Sequence, residues 1–264
     1  MKYKLIAVDM DGTLLNSQGI ITEKTKNAIQ RAVEKGAIFT ICTGRPIQGV
    51  DLYNNILNLD SPVMTYNGAM IVMGKSKKIL YEQNIEAEDA RNILAWGKKF
   101  ETTIIVWSNN KLFAYELNER VYDYKQLSEV EPILIENEEE IIQNGITKIL
   151  WYDEVDKINY FQSILRDKLG DGVTYCTSKP TFLEFFDKKV SKAVAMEKIG
   201  DYLGIKKDEI IAIGDGFNDL PMIEYAGMGV AMGNAPEEIK RKANYVTLSN
   251  DEDGIAYVLD EFIR

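Results

Sequence analysis

The sequence predicts an α/β protein: a Rossmann-like, doubly wound parallel sheet interrupted by an inserted α+β domain. Three observations point there. Short apolar runs alternate with amphipathic stretches at both ends of the chain, as in a parallel sheet covered by helices. The pattern changes after about residue 83 and returns after Asp187, so the outer domain is discontinuous, with expected limits 1–83 and 188–264 around an insert at 84–187. The length of 264 residues exceeds what one compact core usually holds.

The first apolar run, Lys4 to Val8, breaks into Asp9-Met10-Asp11-Gly12-Thr13-Leu14. A helix is expected from about Thr22 to Lys35, with Thr22 as N-cap, Ala28, Ile29, Ala32 and Val33 inward, and Gly36 as terminator. Ala37 to Cys42 reads as a buried strand ending in Thr43-Gly44-Arg45-Pro46, and Pro62 to Tyr66 as another ending in Asn67-Gly68. In open α/β sheets such carboxyl ends are where ligands bind.

Within the insert, Thr103 to Trp107 and Leu112 to Leu117 read as a hairpin, 86–100 and 154–169 as helices, and 146–152, 173–177 and 182–187 as strands. The acidic run Glu136 to Glu140 reads as a solvated helix start rather than a metal site. Beyond Asp187 come a helix at 191–203, a buried strand Ile210 to Ile213, a helix at 217–226, a strand Gly229 to Met232 and a closing helix from about Asp251.

Composition narrows the function. Against 31 basic residues stand 41 acidic ones, a formal charge of −10, so neither nucleic acid nor an anionic membrane is an expected partner. No apolar run approaches the roughly 20 residues of a membrane span, and Met1 to Lys4 leads into a strand, so a cytoplasmic protein, a monomer or weak homodimer, is expected. Cys42 and Cys176 form no C-x-x-C pair and read as small buried hydrophobes. The chain has no histidine, which removes serine–histidine triads and histidine zinc sites together. Acid–base and covalent chemistry falls to carboxylates or lysine.

Two carboxylates one residue apart, where buried strand meets glycine turn, either only shape the turn or, since they repel each other and lose hydration, are compensated by a cation, hydrogen bonds or a reaction, of which a divalent metal is the one expected. Asp9, Asp11, Asp215 and Asp219 offer oxygen ligands of the kind Mg2+ prefers. Thr43 and Lys192, the latter on the first turn of a helix capped by Ser191, offer a hydroxyl and an ammonium to a phosphate. Metal-binding acids beside one lysine and glycine-turn amides make a phosphoryl-transfer site.

Asp9-Met10-Asp11-Gly12-Thr13, Thr43-Gly44-Arg45, Lys192 and Gly214-Asp215-Gly216-Phe217-Asn218-Asp219 resemble, in order and spacing, the four motifs of the haloacid dehalogenase-like hydrolases. The insert resembles the α/β (type IIB) cap of the Cof-type subfamily. Tyr66-Asn67-Gly68-Ala69 and Ile223 to Gly227 resemble its bacterial sugar-phosphatase branch. The resemblance implies a phosphatase of small phosphorylated metabolites such as sugar phosphates, whose cap closes over the site. Asp9 would attack phosphorus and form an aspartyl-phosphate, and Asp11 would protonate the leaving alcohol and then activate water. Asp9, the backbone carbonyl of Asp11 and Asp215 would hold Mg2+, and Asp219 would orient a water on the ion or pair with Lys192. The amides near Met10 and Gly44, with Thr43, Lys192 and Asn218, would bind phosphate oxygens. Where the family more often has glycine this chain has Ala193.

Arg45 reads as a structural bridge; Asn67 reads either as a substrate contact or as a tight turn. Gly74-Lys75-Ser76 lacks the correctly spaced upstream glycine of a P-loop, and Gly214-x-Gly216 lacks the third glycine of a dinucleotide fingerprint. Three rivals stay open: a phosphomutase of the same superfamily, a receiver-like signalling protein, and a non-catalytic sugar-phosphate-binding protein. Trp107, Phe113 and Tyr115 receive no role.

Overall fold

The structure, a computed structural model, describes residues 2–165 and 168–263. It divides into two compact units, one of residues 1–81 and 191–264 and one of residues 82–190, against expected divisions at 83/84 and 187/188.

The first unit begins with β1 (Leu5–Asp9), α1 (Glu23–Glu34), β2 (Ile38–Cys42), α2 (Gln48–Leu57), β3 (Pro62–Thr65), β4 (Met70–Met73) and β5 (Ile79–Glu82). Every residue of β1 is buried, because helices cover both faces of a parallel sheet. Thr22 caps α1 by accepting from the Thr25 amide at 3.1 Å, and Ala28, Ile29 and Ala32 form its buried stripe.

The second unit holds α3 (Ala87–Lys99), β6 (Thr103–Ser108), β7 (Lys111–Ala114), α4 (Glu119–Ser128), β8 (Pro132–Leu134), α5 (Glu138–Gln143), β9 (Lys148–Tyr152), α6 (Val155–Leu165), β10 (Val173–Lys179) and β11 (Phe182–Asp187). Its sheet runs β10-β11-β9-β6-β7-β8. Ile93 and Leu94 of α3 and Ile158 and Phe161 of α6 pack with Val106, Trp151 and Phe185 on one face. Trp107, on the other side of β6, is buried and donates from Nε1 to the Tyr124 hydroxyl at 3.1 Å. Asn137 caps α5, and Glu138 and Glu139 pair with Lys98 and Arg91, so the acidic run does open a helix. Cys42 is buried as expected, but Cys176 is exposed: it lies on β10, an edge strand that among the described residues pairs only with β11.

The chain returns to the first unit with α7 (Lys192–Leu203), β12 (Ile210–Gly214), α8 (Leu220–Tyr225), β13 (Met228–Ala231), α9 (Glu237–Lys242), β14 (Tyr245–Val246) and α10 (Gly254–Phe262). The eight-stranded sheet runs β14-β13-β12-β1-β2-β3-β4-β5. From β14 to β3 neighbouring strands are parallel, and β4 is antiparallel to β3. From β1 the chain winds toward β2, and from β12 toward β13 on the other side. The carboxyl ends of this adjacent pair are therefore the switch point of the sheet, where a ligand crevice forms.

Several element limits differ from the sequence reading. The helix expected at 217–226 starts at Leu220, because Asp219 folds back onto the amides of Asp215 and Gly216. The last strand residue expected near Tyr66 is instead the first of a 3-10 turn, with Tyr66 and Asn67 at φ 50° and 56°. The closing helix begins at Gly254, after a 3-10 turn at Asn250–Glu252 and a left-handed Asp253. Of the helix expected at 154–169, residues 166 and 167 lie outside the described residues, and α6 is described to Leu165.

Candidate active site

β1 ends at Asp9 and β12 at Gly214, so Asp9 and Asp215 project from adjacent strand ends. The turn after β1 needs Gly12: its φ is +85°, and a Cβ there would lie 2.5 Å from Asp215 Oδ2. Thr13, from the same turn, donates to Asp215 Oδ1 at 2.6 Å, and Asn234 donates to the Gly12 carbonyl at 2.8 Å. The N-terminus of α7 arrives from the other side, capped by Ser191, which accepts from the Val194 amide at 3.2 Å. Gly68, at φ +102°, permits this approach, since a Cβ there would stand 2.4 Å from the Ser191 carbonyl oxygen.

Lys192 is fully buried and its ammonium is divided among three acceptors. Nζ lies 2.5 Å from Asp9 Oδ1, 2.5 Å from Asp219 Oδ1 and 3.1 Å from the Cys42 carbonyl. Burial alone would lower its pKa, but Asp219 and Asp9 outweigh burial, so the ammonium stays charged. Burial pushes the Asp9 carboxyl well above its usual range, Asp219 adds to the rise, and Lys192 opposes it. Asp215 is pushed up to about 6, chiefly by burial, with the Thr13 hydrogen bond opposing and Asp219 adding.

Asp9, Asp215 and Asp219 each place a carboxylate oxygen within 4.8 Å of the others. Three carboxylates against one ammonium leave a buried excess of negative charge, and an all-oxygen donor set suits a hard divalent cation. The residues present therefore fit Mg2+. Asp219 is already engaged at both oxygens, Oδ1 by Lys192 and Oδ2 by the amides of Asp215 and Gly216 at 3.0 and 2.8 Å. Asp9 and Asp215 each keep a second oxygen for an ion.

Thr43 is buried at the end of β2; its hydroxyl accepts from the Arg45 amide at 3.1 Å, which leaves its proton to be donated. The carbonyls of Thr43 and Arg45 accept from the Asn67 and Tyr66 amides at 3.0 and 3.1 Å, tying this loop to the left-handed turn after β3. Asn67 thus forms the tight turn, and it also accepts from Asn218 Nδ2 at 3.1 Å. An ideal Cβ at Gly44 would lie 3.1 Å from Asn67 Oδ1, so that backbone and the Asn67 amide group are neighbours. Met10 follows β1 with its side chain buried and its carbonyl accepting from the Leu15 amide at 2.9 Å.

The Asp11 carboxylate, expected to act as acid and base while only its backbone carbonyl meets the ion, stands apart from the other acids and meets Arg45 in a two-point pair, Nε to Oδ2 at 3.0 Å and Nη2 to Oδ1 at 2.5 Å. Sequence reasoning missed this fork, the Thr13–Asp215 bond and the Asn67–Asn218 bond. All three link residues distant in sequence, and only the Asp-x-Asp-Gly-Thr run hints at one of them.

A family model for haloacid dehalogenase-like hydrolases matches residues 6–259. The chain belongs to that family. It is 32% identical over 267 residues to the Bacillus subtilis protein YxeH, covering 99% of this chain and 98% of that one. It is 32% identical over 266 residues to the 5-amino-6-(5-phospho-D-ribitylamino)uracil phosphatase YcsE of Bacillus subtilis, covering 98% and 96%. A haloacid dehalogenase-like hydrolase from Bacteroides thetaiotaomicron superposes with a TM-score of 0.88 at 31% identity, covering 98% of this chain and 99% of that one. A solved subclass IIB sugar phosphatase of the superfamily superposes with a TM-score of 0.80 at 27% identity, covering 99% and 100%. The protein is a phosphoric monoester hydrolase, sugar-phosphatase-like, of the Cof-type branch with an α/β core and a cap. Among the described residues no helix is long and apolar enough to cross a membrane.

Proposed function

We propose that this chain hydrolyses small phosphomonoesters, sugar phosphates foremost, with Mg2+ and an aspartyl-phosphate formed on Asp9. The observation that carries the reading is the cluster of buried Asp9, Lys192 and Asp219 with half-buried Asp215 at the switch point of the sheet. A phosphorylated ribityl chain in one relative's name and a sugar phosphatase among the superposed structures support the substrate class.

Asp9, the backbone carbonyl of Asp11 and Asp215 would hold Mg2+, with Asp219 outside, anchoring Lys192 and the 215–216 amides. When bound, the ion offsets the charge of the carboxylates and of the phosphate oxygens. Asp9 attacks phosphorus, and as the bond to the leaving oxygen breaks, that oxygen takes the proton of the Asp11 carboxyl. Asp11, now a carboxylate, then removes a proton from the water that attacks the acyl-phosphate, releasing inorganic phosphate and restoring Asp9. Lys192, the Thr43 hydroxyl, the amides near Met10 and Gly44, and Asn218 hold the phosphate oxygens, and their fixed positions supply most of the rate gain.

The test is Mg2+-dependent turnover of p-nitrophenyl phosphate by the wild type and by Asp9→Asn. Abolished turnover in the variant is expected; near-wild-type activity refutes the nucleophile. Release of free phosphate from a sugar phosphate, rather than an isomerised sugar phosphate, separates hydrolysis from mutase chemistry.

A further inference from the structure

We propose that Arg45 is the positioning residue for Asp11, gripping its carboxylate at both oxygens so that it serves the leaving group and stays out of the metal cluster. The inference rests on the reading of Asp11 as proton donor and goes beyond it, since that reading gave Arg45 only a structural bridge.

Three observations carry it. The pair is a planar two-point fork between side chains 34 residues apart, Nε to Oδ2 at 3.0 Å and Nη2 to Oδ1 at 2.5 Å, which fixes orientation as well as distance. The fork is itself held: Arg45 Nη1 donates to the Gly49 carbonyl at 3.4 Å, its guanidinium lies 5.9 Å from the Tyr53 ring centroid, and its backbone is tied to Thr43 and Tyr66. Asp11 is the one motif carboxylate absent from the acidic trio, although only Met10 separates it from Asp9. A carboxylate left loose there would be a further ligand competing for the same cation.

A purely stabilising role explains this poorly. The side chains are 33% and 56% exposed, and exposed ion pairs contribute little to stability. The same exposure suits a group that must meet a leaving alcohol at the mouth of the strand ends. Arginine keeps its charge throughout, so it holds Asp11 at both oxygens when Asp11 is a carboxylate and through the unprotonated oxygen when Asp11 carries the proton it donates.

The experiment compares the wild type, Arg45→Met, Arg45→Lys, Asp11→Asn and the double variant R45M/D11N at saturating Mg2+, on glucose 6-phosphate and p-nitrophenyl phosphate. The nitrophenolate leaves without help, whereas the sugar alkoxide needs a proton. R45M is expected to lower kcat on glucose 6-phosphate roughly tenfold or more beyond its loss on p-nitrophenyl phosphate, with KM within about threefold. R45K, which keeps the charge but not the fork, should recover only part of the loss. In the D11N background the Arg45 change should alter kcat by no more than about twofold, because its route of action is gone. Equal losses on both substrates, or losses that add fully in the double variant, overturn the positioning role while leaving Asp11 as donor. Wild-type turnover by D11N on both substrates overturns the reading of Asp11 and the proposal with it.

Discussion

Replacing Lys192 by Met removes one ammonium that serves two buried carboxylates at 2.5 Å each. Breaking a buried pair by deleting one partner typically costs about 3–5 kcal/mol, because the remaining charge is left uncompensated. The loss has a ceiling. A stranded carboxyl takes up a proton rather than stay ionised, so the penalty shrinks as pH falls. The sign follows from linkage: the Asp9 carboxyl, already raised by burial and by Asp219, loses the ammonium that opposed the rise, so the variant's stability falls further as pH rises from about 4 toward neutrality. In the wild type the Lys192 pKa is raised, so its contribution is complete below the unfolded value of about 10.4 and is lost only as pH rises through the folded one. Lys192→Met should therefore cost about 3–5 kcal/mol at pH 7 and clearly less at pH 5, read from metal-free urea unfolding at both pH values. Turnover should fall roughly a hundredfold or more, since a preorganised phosphate donor is lost as well. A cost below about 1 kcal/mol at pH 7, or equal costs at the two pH values, refutes the shared-ammonium account.

Two further outcomes follow from the same geometry. Gly12→Ala forces a side chain into a left-handed position 2.5 Å from Asp215 Oδ2, and should cost roughly 1–3 kcal/mol and most of the Mg2+-dependent turnover; thermal melts with and without Mg2+ check it. The Asp215 carboxyl, pushed up to about 6, must lose its proton to ligate, so Mg2+ affinity by calorimetry should fall as pH drops below about 6; a flat affinity from pH 7 to 5 contradicts this.

How much was legible in the sequence depended on how local each signal was. β1, β2 and β12 are short apolar runs buried on both faces, and Asp9, Thr43 and Asp215 follow from their ends. The helices α1 and α7 carried capping residues in the sequence, Thr22 and Ser191, and both caps form. By contrast α2 was not anticipated: it has no side-chain cap, and Leu52 and Ile56 face solvent, which blurs its apolar stripe. The two-residue strand β14 is shorter than any pattern can show. At the site, residue types and spacing pointed to carboxylates and a lysine, but not to which carboxylate faces which cation. Asp9 and Asp11 are nearly identical in sequence terms, yet one meets Lys192 and the other Arg45. That choice is made by a loop 34 residues away and a helix 183 residues away, contacts that only the folded chain brings together.

The most direct test of the mechanism is to trap the covalent state. Enzyme mixed with Mg2+ and excess glucose 6-phosphate, quenched during turnover and reduced with borohydride, converts an acyl-phosphate to the alcohol, so Asp9 should be recovered as homoserine by peptide mass spectrometry. The account predicts homoserine at position 9, dependent on substrate and absent in Asp9→Asn. Unmodified Asp9 alongside steady release of phosphate, or reduction at Asp11 or Asp215 instead, contradicts it.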